Sequence, residues 1–107
     1  MVVISGDPSK DAPYVVRVKA PAGYKVAPHT HPTDENITVI SGTFNLGMGD
    51  KFDDKKGAAL KAGGFAQAAK AMPHYSWFSD DSVIQIHGIG PFAITYVNPA
   101  DDPRKGN

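Results

Sequence analysis

The chain has 107 residues, enough for one domain with a core of its own. It contains no cysteine, which excludes disulfides, zinc ribbons, iron–sulfur clusters and thiol nucleophiles. Eleven Lys plus Arg balance eleven Asp plus Glu, and this neutrality, with the signs mixed along the chain, gives no basis for nucleic-acid binding. No apolar run approaches the length of a membrane span. Met1 to Pro8 lacks the charged start and long apolar stretch of a signal peptide, so a soluble chain without a leader is expected, cytoplasmic or exported.

Taken in chain order, the predicted elements are short strands. Met1-Val2-Val3-Ile4 reads as the first of them. Tyr14 to Lys19 is β-branched and partly alternating, and Pro21-Ala22-Gly23 breaks it. Ile37 to Ile40 is a second β-branched run; Ser41-Gly42 ends it, and Thr43 to Leu46 follows at hairpin distance. Gly47 to Lys56 is charged and reads as a loop or one helical turn, with Asp50 to Lys56 facing solvent. Ala58 to Gly64 approaches a compact turn. The alanines of Phe65 to Lys70 favour helix locally, yet the segment lies between strand-like runs. Tyr75 to Phe78, Val83 to His87 and Phe92 to Val97 are the last three strands. Residues 98–107 are expected to form a flexible polar tail. There is no amphipathic helix of three turns, no repeat and no linker. The pattern predicts a single all-β domain, a sandwich or barrel, over residues 1–107.

Two of the four histidines form His29-Thr30-His31. On a strand, such residues point to one face, so both imidazoles can converge on one ion. Glu35 follows at a further even offset, although Pro32 interrupts the pleat between them. Imidazole nitrogens with a carboxylate oxygen make a mixed site for Mn, Fe, Co, Ni, Cu or Zn. Outside that group, Gln85 and His87 share one face of their strand and Ile84 and Ile86 the other. If the isoleucines face inward, Gln85 and His87 are solvated, which is the favoured expectation. If the polar pair does, they contact the ligands or the substrate. Trp77, Phe78, Phe92 and Tyr96 are expected to fill the core. Alternation puts Tyr75 opposite His74 and gives Ser76 the parity of His74, so Ser76 is the better pocket candidate wherever His74 faces a pocket.

Gly23, five residues, His29-Thr30-His31, three residues, Glu35, six residues and Gly42 form one pattern. Here the sequence resembles the cupin superfamily, whose first motif is Gly-x5-His-x-His-x3–4-Glu-x6-Gly. Every fixed position is matched. The second motif of that family, Gly-x5-Pro-x-Gly-x2-His-x3-Asn, maps onto Gly63, Ala69, Ala71, His74 and Phe78. Gly63 and His74 match; Ala69, Ala71 and Phe78 depart from it, which implies an altered turn before His74. The resemblance implies a jelly-roll barrel, a double-stranded β-helix open at one end. It implies that His29, His31, Glu35 and His74 hold one divalent transition metal, with substrate or water at the remaining positions.

Cupins with such a site include dioxygenases acting on diketones and flavonols, isomerases, lyases and members without known catalysis. The expectation drawn here is a metal-dependent oxygenase acting on a small oxygenated organic molecule, with Glu35 also available as a catalytic base. The alternatives are a non-catalytic module that senses or binds a ligand, and a metal-dependent lyase or isomerase. A homodimer is expected, with the Met1 to Ile4 strand adding to a neighbour's sheet edge.

Overall fold

The computed structural model describes residues 1–103. Ten strands run β1 (Val2–Gly6), β2 (Pro13–Ala20), β3 (Lys25–Thr30), β4 (Glu35–Ser41), β5 (Thr43–Met48), β6 (Ala58–Lys61), β7 (Phe65–Ala68), β8 (His74–Phe78), β9 (Ser82–Ile89) and β10 (Thr95–Tyr96). They form two five-stranded antiparallel sheets, β1-β2-β9-β4-β7 and β10-β3-β8-β5-β6. Consecutive strands therefore often lie in different sheets, which wraps the chain into a double-stranded β-helix. No helix among the described residues is long and apolar enough to cross a membrane.

Alternation decides what fills the space between the sheets. Tyr14 and Val16 from β2, Ile37 and Val39 from β4, Phe44 and Leu46 from β5, and Ile84 and Ile86 from β9 are buried in one cluster with Phe78. Each pair has the period of two that a half-buried strand requires.

Several expectations change. Ser41-Gly42 closes no hairpin: β4 pairs with β7 and β9, whereas β5 pairs with β6 and β8. The turn instead carries the chain across from one sheet to the other. Gly42 is required there, because its φ is +83° and a Cβ would lie 2.2 Å from the Ser82 hydroxyl. Ala58 to Lys61 and Phe65 to Ala68 are strands, since β5 and β4 offer them open edges despite their alanines. Phe92 to Val97 is a strand only at Thr95 and Tyr96, which pair with Thr30 and His29. The rest of that segment is spent crossing from β9 to the opposite sheet.

Trp77 lies outside the core. It shares the outer face of β8 with Tyr75, and the loop after β5 folds over both. Phe52 from that loop sits 4.8 Å from Tyr75 and 5.6 Å from Trp77, ring to ring. The Tyr75 hydroxyl donates to the Asp53 carbonyl at 2.7 Å. The Asp50 to Lys56 run is thus a cover as well as a solvated loop, held by one aromatic residue among the charges. The first part of the expected tail has local structure. Asn98 caps a short 3-10 turn, Pro99–Asp101, and Asp102 is 6 % exposed. Residues 104–107 lie outside the described part.

Candidate metal centre

His29 on β3 and His74 on β8 are direct cross-strand partners. His31 stands just past the end of β3, and Glu35 opens β4 in the opposite sheet. The group therefore bridges the two sheets at one end of the barrel. All four side chains are buried. The ligand atoms of His29, His31 and His74 lie within 4.8 Å of one another. Glu35 stands beside this triad: its Oε2 is 3.0 Å from His31 Nε2 and its Oε1 is 3.9 Å from His74 Nε2.

The protonation of the triad follows from its hydrogen bonds. Nδ1 of His29 faces the Ala27 carbonyl at 2.7 Å, Nδ1 of His31 the Ala93 carbonyl at 2.7 Å, and Nδ1 of His74 the Met72 carbonyl at 3.1 Å. A carbonyl only accepts, so each Nδ1 carries the proton and donates. In the neutral ring, each Nε2 then presents a lone pair. The Nε2 atoms of His31 and His74 are buried and have no hydrogen-bond partner. Outer-sphere carbonyl bonds of this kind are how metal-ligating histidines are oriented.

The electrostatics agree for His29 and His74 and differ for His31. Burial pushes His29 down to about 4, against the Ala27 hydrogen bond that opposes it. Burial likewise lowers His74, partly offset by Met72 and by the charge of Glu35. Burial works the same way on His31, but there the contact and charge of Glu35, with Ala93, outweigh it and raise the pKa. A lone pair set 3.0 Å from a carboxylate oxygen is repulsive unless positive charge lies between. A proton on His31 is one way to supply that charge; a divalent cation shared by the triad and Glu35 is another. The donor set and the orphaned nitrogens fit a transition metal.

The turn before His74 carries a left-handed residue at the altered motif position. Ala71, where the motif has Gly, adopts φ +61° and donates its N–H to the His31 carbonyl at 2.9 Å. The loop that carries one histidine is thereby tied to the backbone of another.

A cavity of about 140 Å³ adjoins the triad. Ser76 lines it, as its parity required. Phe92, expected only as core filler, lines it too and stacks on His31 with ring centroids 5.5 Å apart. Tyr24, Val18, Val26 and Ile94 also line it and were not singled out in the sequence. The β-period of Val16/Val18 and Tyr24/Val26 was the available signal; for Ile94 it was the shared parity with Phe92. Gln85 and His87 do not reach this cavity. Ile84 and Ile86 take the inner face of β9, so Gln85 accepts from Arg17 Nε at 2.9 Å on the outer face and His87 is exposed. Their place among the pocket candidates is therefore withdrawn.

No family model matches the chain, and no curated relative matches it. Solved structures do. One is a double-stranded β-helix protein from Klebsiella pneumoniae, 24 % identical, with a TM-score of 0.66 over 90 % of this chain and 81 % of that one. A second is a cupin-2 domain protein from Shewanella frigidimarina, 22 % identical, with a TM-score of 0.64 over 81 % of this chain and 76 % of that one. The chain has the cupin fold. A further match is a proposed acetylacetone dioxygenase from Methylibium petroleiphilum, 19 % identical, with a TM-score of 0.69 over 94 % of this chain and 67 % of that one.

Proposed function

We propose that this chain is a small metal-dependent cupin, an oxygenase acting on a small oxygenated organic molecule. His29, His31, His74 and Glu35 would hold one divalent transition metal. The observation that carries this reading is the set of three imidazoles whose Nδ1 protons are all tied to carbonyls and whose Nε2 atoms converge in a buried space. A bound redox-active ion there would supply Lewis acidity and oxygen activation. The chain's own residues supply the remainder. Phe92 and Ile94 keep bulk water from the ligands, Ser76 offers one hydroxyl to orient a substrate, and Glu35 is placed to accept a proton. The likeness to a proposed acetylacetone dioxygenase supports a diketone-like substrate.

Metal analysis of protein purified without added metal tests this, together with oxygen uptake on diketones. About one Fe, Mn, Cu, Ni, Co or Zn per chain is expected, and the double variant His29→Ala, His31→Ala should lose it. Equal metal in the double variant would overturn the assignment. A second reading has support in the wall of the cavity, where, among the described residues, Ser76 and Tyr24 are the only hydrogen-bonding side chains besides the four ligands. On that reading the loaded protein binds its ligand without consuming oxygen. We also propose a homodimer built on β1. All five residues of this edge strand are exposed, including Val2, Val3 and Ile4, and it carries no charged side chain. A light-scattering mass of one chain would refute it.

A further inference from the structure

We propose that the cavity beside the triad selects a ligand with a small, uncharged, apolar body, and that Tyr24 sets its size limit. This deepens the metal-site reading and rests on it for the ligand's oxygen donors.

Three observations carry it. The cavity measures about 140 Å³, and an apolar cavity of roughly 150 Å³ is known to take benzene. His29, His31, Glu35 and His74 line the same space, so a bound ion and the ligand's oxygen donors share it, and the body that fits is no larger than about a single six-membered ring. Next, the wall away from the ligands is Val26, Phe44, Phe78, Ile84, Ile86 and Ile94, with no Lys or Arg among the described residues. A second carboxylate or a phosphate would be desolvated there without a counter-charge, which is strongly unfavourable. An uncharged apolar group loses nothing by entering.

The third observation is the mouth. Tyr24 is 49 % exposed, yet it lines this cavity and also a wider outer groove of about 690 Å³ that includes Lys25, Phe52 and Tyr96. Its ring leans on Phe78 at 6.3 Å. Its main chain is pinned on both sides: the N–H donates to the Pro21 carbonyl at 3.1 Å, and the carbonyl accepts from the Phe78 N–H at 3.0 Å. Only the side chain can swing. The half-exposed Tyr24 ring is thus a fixed-base wall on the solvent side of the small inner cavity. Its removal opens that side of the cavity outward and leaves the rest of the wall in place.

The test is calorimetric titration of zinc-loaded protein with acetylacetone, benzoylacetone and succinate, with zinc content measured first. Wild type should bind acetylacetone and bind benzoylacetone and succinate at least about tenfold more weakly. Tyr24→Ala should bring benzoylacetone to within about threefold of acetylacetone and leave succinate weak, while Tyr24→Phe should match wild type. Equal binding of benzoylacetone or succinate by wild type, or an unchanged ratio in Tyr24→Ala, would overturn the proposal. A metal-free arm separates it from the metal assignment. Benzene should raise the melting temperature of the metal-free protein and naphthalene should not, with naphthalene gaining an effect in Tyr24→Ala. If no zinc binds, the metal reading fails and this arm decides: the stated benzene-only pattern supports the size limit, and any other pattern refutes it.

Discussion

Ala71→Gly should stabilise the protein. Ala71 holds φ +61°, a left-handed conformation that brings its Cβ against the following carbonyl oxygen. That conformation costs a non-glycine residue about 1–2 kcal/mol. Glycine adopts it without penalty but adds freedom to the unfolded chain, a loss of about 0.4–1 kcal/mol. The net gain is about 0.5–1 kcal/mol, a rise of about 2–4 °C in melting temperature for a domain of this size. Ala71→Val supplies the opposite sign, because a β-branched residue is still less tolerant of positive φ. The assay is thermal unfolding of the metal-free protein followed by far-ultraviolet circular dichroism. An unchanged or lower melting temperature in Ala71→Gly would refute the strain argument. The Ala71 N–H bond to the His31 carbonyl needs only the backbone, so metal content should be unaltered by the glycine.

Other outcomes can be stated more briefly. Gly47→Ala should cost about 1–3 kcal/mol, because the new Cβ would fall 2.2 Å from the Tyr75 ring; urea unfolding measures it, and a neutral effect would mean that the ring moves freely. Tyr75→Phe should cost about 1 kcal/mol by freeing the loop carbonyls of Asp53 and Lys56, and protease cleavage within residues 49–57 should speed up. Burial, assisted by the charge of Glu35, pushes the Tyr14 phenol up to about 12. Its folded value thus exceeds its unfolded value of about 10, so its contribution is complete below that pH and is lost as the pH rises toward 12. Tyr14→Phe should remove this part of the alkaline instability, and identical alkaline profiles for the two proteins would refute the assignment.

Much of the site was legible because its signals are local. His29 and His31 share a face for the simple reason that side chains alternate along an extended chain. Ser76 and His74 share one for the same reason, and Ile84 with Ile86 excluded Gln85 and His87 from the interior. Glycine positions were informative because Gly23, at φ +86°, and Gly42 stand where a side chain would be strained or clash. The failures share a different cause. Trp77 and Phe52 could not be placed, because the burial of an outer face depends on a loop folding back over it.

The sequence by itself determined the all-β class, the strand faces and the identity of the histidines, since these depend on periods and spacings of a few residues. The tertiary structure alone decided how those histidines are poised. The carbonyls of Ala27, Met72 and Ala93 select their tautomers, and a main-chain carbonyl has no signature in residue type. Glu35 meets His31 and His74 only because the chain crosses between sheets after β3, so parity along one strand could not predict it. The size of the cavity and the position of Tyr24 at its mouth belong to the same class. Both are set by how two sheets close on each other, a property of pairing partners separated by tens of residues and not of any local pattern.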